Sequence, residues 1–247
     1  MFTPRPLVLV VIPARWGSTR FPGKPLHLIA GKPLVQHVWE RCQKCRLVDK
    51  VVIATEDTRI ADAARRFNAL SVITSPDHPS GTDRVAETAK SFPDYQIIIN
   101  VQGDEPLISP ALIDELAQTL IAESEVPMIT AASAIDDELL LNDFNVVKVV
   151  LNSRRDALYF SRALIPHPHK PDAGVTHFRH LGIYGFQREF LFQFVAWQPS
   201  ALEKTESLEQ LRALENGAPI RVIITSETSP GVDTPEQARA IEALLLK

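Results

Sequence analysis

Short apolar runs with no alternating polar face are separated along the chain by longer stretches in which apolar residues recur every three or four positions. The runs "LVLVVI" (7–12), "KVVIAT" (50–55), "SVIT" (71–74), "QIIINV" (96–101), "PMITAAS" (127–133), "VVKVVLN" (146–152) and "PIRVIIT" (219–225) are β-branched and nearly continuous. Strands covered on both faces have this character. The stretches 33–45, 58–68, 82–92, 109–124, 206–217 and 234–247 read as amphipathic helices. Pro33 suits a first helical position, and Asn216-Gly217 suits a helix end. Such alternation predicts an α/β fold, a mostly parallel sheet with helices on both faces. Ligands of these sheets bind beyond the carboxyl ends of the strands.

Residues 153–200 break the rhythm. They are aromatic and proline-rich, as in "YFSRALIPHPHKPDAG" and "FRHLGIYGFQREFLFQFVAW". This section predicts antiparallel strands inserted within a single domain over 1–247, and is a candidate dimer surface. No internal repeat or low-complexity segment interrupts the chain.

Composition narrows the function classes. The 247 residues are 45% hydrophobic and 23% charged, with a net charge of −4. No general basic field draws the protein to nucleic acid. No stretch approaches the roughly 20 apolar residues of a membrane span. The first apolar run is broken by prolines and followed by Arg15 rather than a cleavage site, which predicts a cytoplasmic protein. The two cysteines, Cys42 and Cys45, argue against a disulfide framework. Their C-x-x-C spacing lies inside a predicted helix without two further zinc ligands, so they read as reduced helix residues. His167, His169, His177 and His180 are close in sequence, but Pro166, Pro168 and Pro171 make the first pair a rigid loop rather than a metal site.

Against this mildly acidic background, "VIPARWGSTRFPGKPL" (11–26) concentrates Arg15, Arg20 and Lys24 just past the first strand. Gly17 and Gly23 enclose five residues rather than the four of a phosphate-binding P-loop, and Pro25 stands where that motif needs Ser or Thr. The dinucleotide fingerprint G-x-G-x-x-G is absent. A proline-stiffened loop presenting three cations remains, and a polyphosphate suits it. A solvated surface loop is the alternative. Each close opposite-charge pair is worth about 4 kcal/mol at an effective dielectric near 20, before desolvation.

Two aspartates are candidate metal ligands. "IIINVQGDEPLI" places Gln102, Gly103, Asp104 and Glu105 at a strand's carboxyl end, where for Asp104 either a metal ligand or a turn residue fits. In "GVDTPEQARAIE", Thr234 and Gln237 form a capping box around Pro235, which leaves Asp233 without a capping duty. Two monodentate aspartates with phosphate oxygens and water match what Mg²⁺ prefers. "SPDHPSGTDRVAE" adds Ser80, Gly81 and Thr82 at a helix start, with Arg84 close behind. Simple capping by Thr82 is the alternative there.

Taken together, "VIPARWGSTRFPGKPL", "HPSGTDRVAE", "VQGDEPLI", "YFSRALIP", "FRHLGIYGF", "ESLEQLRALENG" and "GVDTPEQ" resemble the 3-deoxy-manno-octulosonate cytidylyltransferases, the CMP-Kdo synthetases, in order and over nearly the whole chain. The first and third are shared with other sugar nucleotidyltransferases, whereas "RHLGIYGF" with "SLEQLR" is more specific. The resemblance implies a Rossmann-like nucleotidyltransferase fold, a homodimer, and Mg²⁺-dependent coupling of CTP with 3-deoxy-manno-octulosonate (Kdo) for lipopolysaccharide biosynthesis. It implies that Arg15 and Lys24, with Arg20, hold the triphosphate. Ala14, Ser80, Arg84 and Gln102 would frame the cytosine and ribose, and Asp104 and Asp233 would carry metal. Arg162, His180, Tyr184, Glu209 and Gln210 would line the sugar-acid pocket, with Arg162 meeting the carboxylate. A cytidylyltransferase for another sugar acid and a non-catalytic nucleotide-sugar sensor remain the competing readings.

Overall fold

A computed structural model describes residues 5–17, 21–170, 174–227 and 229–246. Strand β1 (Leu7–Pro13) shows how the apolar runs fold. Its Val8, Val10 and Ile12 enter one core and its Leu9 and Val11 another, all fully buried. Successive side chains of a strand point to opposite faces, so a strand apolar at every position must be covered on both. Burying each of these side chains contributes about 1.5–3 kcal/mol.

The chain continues through a small hairpin, β2 (Leu28–Ile29) and β3 (Lys32–Pro33), into α1 (Leu34–Cys42). Next come β4 (Lys50–Thr55), α2 (Thr58–Arg66), β5 (Leu70–Ile73), α3 (Gly81–Lys90), β6 (Tyr95–Asn100), α4 (Pro110–Ala122) and β7 (Met128–Ala134). A short α5 (Glu138–Leu141) precedes β8 (Lys148–Leu151), β9 (Ala157–Ser161) and β10 (Phe178–Gln187). The last elements are α6 (Arg188–Ala196), α7 (Ala201–Glu206), α8 (Leu211–Glu215), β11 (Ile220–Ile224) and α9 (Pro235–Leu245).

The main sheet runs β11-β7-β10-β6-β1-β4-β5. Strands β11 and β7, β6 and β1, β1 and β4, and β4 and β5 pair in parallel, whereas β10 is antiparallel to both its neighbours. Helices α1, α2 and α4 cover one face through Val35, Ile60, Leu112 and Leu116. Helices α3, α6 and α8 cover the other through Val85, Leu191, Phe194 and Leu211. The expected α/β architecture is therefore present, with helices on both faces.

Several local expectations change. The section 153–200 does supply antiparallel strands, but β10 runs through the middle of the main sheet. Residues 188–196, expected to be strand-like, form α6, because Phe190, Leu191 and Phe194 share one buried helical face. The helix expected over 206–217 is shorter, α8 alone, and ends at Asn216-Gly217 as expected, while a separate α7 precedes it. Ser200 and Glu203 form a capping box that starts α7 early, and Ser207 takes a left-handed φ of 53° that ends it. Arg212 then holds α8 against α7 by two hydrogen bonds to the Glu203 carboxylate, at 2.6 and 2.8 Å. Ser80, not Thr82, caps α3, its hydroxyl accepting from the Asp83 N–H. Pro33 is the cap of α1 rather than its first helical residue.

A third, small core joins Ile29 and Leu34 to Val232, Ala238 and Ile241. It docks α9 near the carboxyl edge of the sheet and so delivers Asp233 there.

Candidate active site

The loops after β1, β4 and β6 lie flush against one another. The Ala14 N–H donates to the Ala54 carbonyl at 2.8 Å, and the Val101 N–H to the Val11 carbonyl at 3.1 Å. At Gly103 a Cβ would lie 2.7 Å from the Pro13 carbonyl oxygen, so only glycine lets the two loops touch. A cleft of about 540 Å³ opens here, beyond the strand ends.

Residues far apart in sequence converge on this cleft. Gly23, at φ +70°, turns the chain into a short 3₁₀ segment that begins with Lys24. The Trp16 ring packs beside Gly23, 3.0 Å from where a Cβ would be, and the left-handed φ there favours glycine. The Lys24 Nζ donates to Asp104 Oδ2 at 2.6 Å and to Asp233 Oδ1 at 3.1 Å. The Val232 N–H donates to the Asp104 carbonyl at 2.9 Å, which ties the segment before α9 to the loop after β6. The Thr234–Gln237 capping box forms as expected, and Gln237 also accepts from the Asp233 N–H at 2.6 Å.

Arg84, on the first turns of α3, is almost fully buried where it reaches the cleft. Its Nη1 donates to the Thr74 hydroxyl, and its Nη2 lies 3.0 Å from Glu56 Oε2. Burial pulls its pKa down and the charge of Arg15 adds to that, while Glu56 and Glu87 oppose it.

Ala14, Arg15, Lys24, Ser80, Arg84, Gln102, Asp104 and Asp233 all line the cleft. Arg20 lies outside the described residues. None of the sugar-acid candidates lines the cleft. Glu209 accepts from the Thr82 hydroxyl at 2.5 Å, so it sits behind the start of α3. Burial raises its pKa. Tyr184 is raised well above its usual range by burial and by Glu209. His180 packs on Tyr184 with ring centroids 5.4 Å apart, and its Nε2 is 2.9 Å from the Thr130 hydroxyl. Burial lowers the His180 pKa to about 3, so the ring is neutral. Gln210 is buried at the start of α8.

Arg162 is held elsewhere. Its guanidinium donates to the carbonyls of Glu206 at 2.7 Å, Phe144 at 3.1 Å and Ser207 at 3.4 Å. Beside it, the fully buried Lys148 ammonium donates to the carbonyls of Asp143, Val146 and Arg162. Both cations are thus occupied with backbone oxygens.

Some residues of the site escaped the sequence reading. His78 lines the cleft and pairs with Glu87. It lies within the loop already singled out for Ser80, so its position was available as a signal. Glu105, legible beside Asp104 at the strand's carboxyl end but given no role, is pushed up to about 7 by burial, with the charge of Asp104 adding to it. Glu56 carries no motif at all.

Comparison with known proteins agrees with this geometry. A family model described as Cytidylyltransferase matches residues 9–223. A 3-deoxy-manno-octulosonate cytidylyltransferase of Pseudomonas syringae pv. syringae (strain B728a) is 50% identical, covering 96% of this chain and 97% of that protein. One from Myxococcus xanthus (strain DK1622) is 46% identical, covering 96% of each. A solved structure of CMP:2-keto-3-deoxy-manno-octonic acid synthetase complexed with CTP superposes with a TM-score of 0.94 at 41% identity, covering 97% of this chain and 98% of that one. A cytidylyltransferase from Leptospira borgpetersenii, at 17% identity and a TM-score of 0.67, shares the fold. Matched over nearly its whole length by relatives of one name, the chain belongs to the 3-deoxy-manno-octulosonate cytidylyltransferase family of nucleotidyltransferases.

Proposed function

We propose that this chain transfers CMP from CTP to the anomeric hydroxyl of Kdo, releasing pyrophosphate and supplying activated sugar for lipopolysaccharide biosynthesis. The observation that carries the reading is the meeting of Lys24, Asp104 and Asp233 in one cleft with Arg15 and Arg84. In the reaction, the anomeric oxygen bonds to the α-phosphorus. The bond from that phosphorus to the oxygen bridging α and β breaks, and the hydroxyl proton leaves to solvent. No side chain forms a covalent intermediate. The protein's part is positioning and charge balance.

Arg15 and Lys24 meet the triphosphate, which carries more negative charge as pyrophosphate departs. Ala14, Ser80, Arg84 and Gln102 frame the nucleoside. Asp104 and Asp233 would hold Mg²⁺, which when bound supplies positive charge against the phosphate oxygens. The donor set fits: two carboxylates already converge on one ammonium. Among the described residues, however, no cluster of three or more His, Cys, Asp or Glu is built for a metal. The remaining ligands must come from phosphate and water, as Mg²⁺ favours.

His180, Tyr184, Glu209 and Gln210 shape the sugar-acid side, where Glu209 and the Tyr184 hydroxyl suit sugar hydroxyls. Arg162 can meet the sugar carboxylate only by exchanging backbone carbonyls for it. The reading extends to a cytoplasmic homodimer that does not bind nucleic acid. The net charge of −4 supports the last point, and exposed Leu139, Phe144 and Leu158 around the β8–β9 hairpin support the dimer. Among the described residues, no helix is long and apolar enough to cross a membrane.

The test is pyrophosphate release from the pure protein with CTP, Kdo and Mg²⁺. Silence in that assay ends the proposal, and faster turnover of a sialic acid redirects it.

A further inference from the structure

Arg15, on the loop after β1, and Arg84, on α3, both reach the cleft and repel one another. A carboxylate lies behind them. Glu56 follows β4 directly, and β4 is locked to β1 in a register that pairs Pro13 with Ala54. Its Oε1 accepts the Trp16 N–H at 2.8 Å, one residue past Arg15. Its Oε2 is buried and makes no hydrogen bond among the described residues, but it lies 3.0 Å from the Arg84 guanidinium. Trp16 is fixed on its other sides as well. The Arg59 guanidinium stacks 3.5 Å from its ring centre, and its carbonyl accepts the Gly23 N–H at 3.3 Å. Glu56 does not itself line the cleft.

We infer that Glu56 is a positioning residue: one carboxylate, bridging the Trp16 backbone and the Arg84 side chain, sets the spacing of the two cations that receive the nucleotide. The inference rests on the proposed binding of CTP in this cleft. Glu56 touches no substrate. It offsets the charge of Arg84 from behind and pins the loop that carries Arg15, so the pair is preorganised before an anion arrives. Cations held in place stabilise the bound nucleotide before and during reaction alike, so their misplacement weakens binding more than turnover.

The test is Glu56→Gln, which keeps the volume and the acceptor for Trp16 but removes the charge facing Arg84. Calorimetry with CTP and steady-state kinetics give the readouts. Kd and KM for CTP are expected to rise about tenfold, while kcat at saturation changes less than about threefold. A merely structural defect would lower the active fraction and the melting temperature without moving Kd. In an Arg84→Met background the same substitution should change Kd by less than about twofold, because the partner it acts through is gone. Glu56→Asp keeps the charge on a shorter stem, so its Kd is expected between the two, and it replaces Glu56→Gln as the probe if that variant fails to fold. The inference is overturned if the wild type binds CTP and the folded Glu56 variant binds it within about twofold, or if the losses from Glu56 and Arg84 simply multiply. A wild type that does not bind CTP overturns the reading of the cleft instead.

Discussion

The Lys24 ammonium lies 2.6 Å from Asp104 Oδ2, a contact spanning 80 positions of sequence. It also reaches Asp233, so one side chain joins both candidate metal ligands. A cation therefore already sits between the carboxylates, and a divalent ion must compete with it unless a triphosphate draws the lysine away. Mn²⁺ followed by electron paramagnetic resonance should bind weakly to the protein alone and tightly with CTP present. Lys24→Met should strengthen nucleotide-free Mn²⁺ binding about tenfold, a figure discounted for solvent screening of these partly exposed aspartates. Equal Mn²⁺ affinity in both proteins would show that the lysine does not occupy the site.

Asp104→Asn and Asp233→Asn keep size and remove charge. Each should cut kcat at least about a hundredfold, as expected when several kcal/mol of charge stabilisation is lost. Melting temperatures should stay near the parent's, since both side chains face the cleft. A variant turning over near the normal rate takes its aspartate out of the chemistry.

Gly103→Ala tests the contact between loops. The new methyl group would lie 2.7 Å from the Pro13 carbonyl, so the loops must part. Overpacking of this kind costs about 1–3 kcal/mol. Chemical denaturation should report that loss together with weaker CTP binding, and unchanged stability would mean the loops separate freely.

His180 makes a pH prediction. Its folded pKa is depressed to about 3, against about 6.5 for a free histidine. Protons thus bind the unfolded chain more readily, and the stability held by the neutral ring is complete above pH 6.5. It is lost as pH falls from there toward 3, by up to about 1.4 kcal/mol per unit. Denaturation of wild type and His180→Gln, compared at pH 7 and pH 5, should show a shallower decline in the variant. Parallel declines would mean that the ring does not carry the effect.

Sedimentation velocity checks the proposed dimer. Phe144 and Leu158 are 68% and 60% exposed on a single chain, so a Phe144→Asp/Leu158→Asp variant should sediment as a monomer where the parent is a dimer. A monomeric parent removes the dimer.

Much of this architecture could be read from residue order alone, for physical reasons. Strands apolar at every position must be buried on both faces, so β1, β4 and β6 announced a helix-covered sheet. The Thr234–Gln237 box was visible because capping is local, and that singled out Asp233. Tertiary effects were not visible. The aromatic run at Phe190, Leu191 and Phe194 has the composition of a strand, and only its packing against α3 and the sheet makes it helical. The place of β10 between β6 and β7 is a pairing choice that no local signal encodes. Arg162 looked free for a ligand because backbone carbonyls have no signature in sequence. Glu56 sits beside the helix-capping Asp57 after a strand and becomes meaningful only once Trp16 and Arg84 flank it.

The antiparallel β10 has a consequence for biosynthesis. Both β6 and β7 leave the ribosome well before Phe178–Gln187 exists, and each must wait for that segment to fill the gap between them. Until then the nascent chain carries one unsatisfied edge on β6 and two on β7, in a form suited to chaperone capture or intermolecular pairing. Translation arrested just short of Phe178 should therefore leave an aggregation-prone fragment, whereas arrest beyond Ile224, with the last strand synthesised, should leave one whose sheet can close.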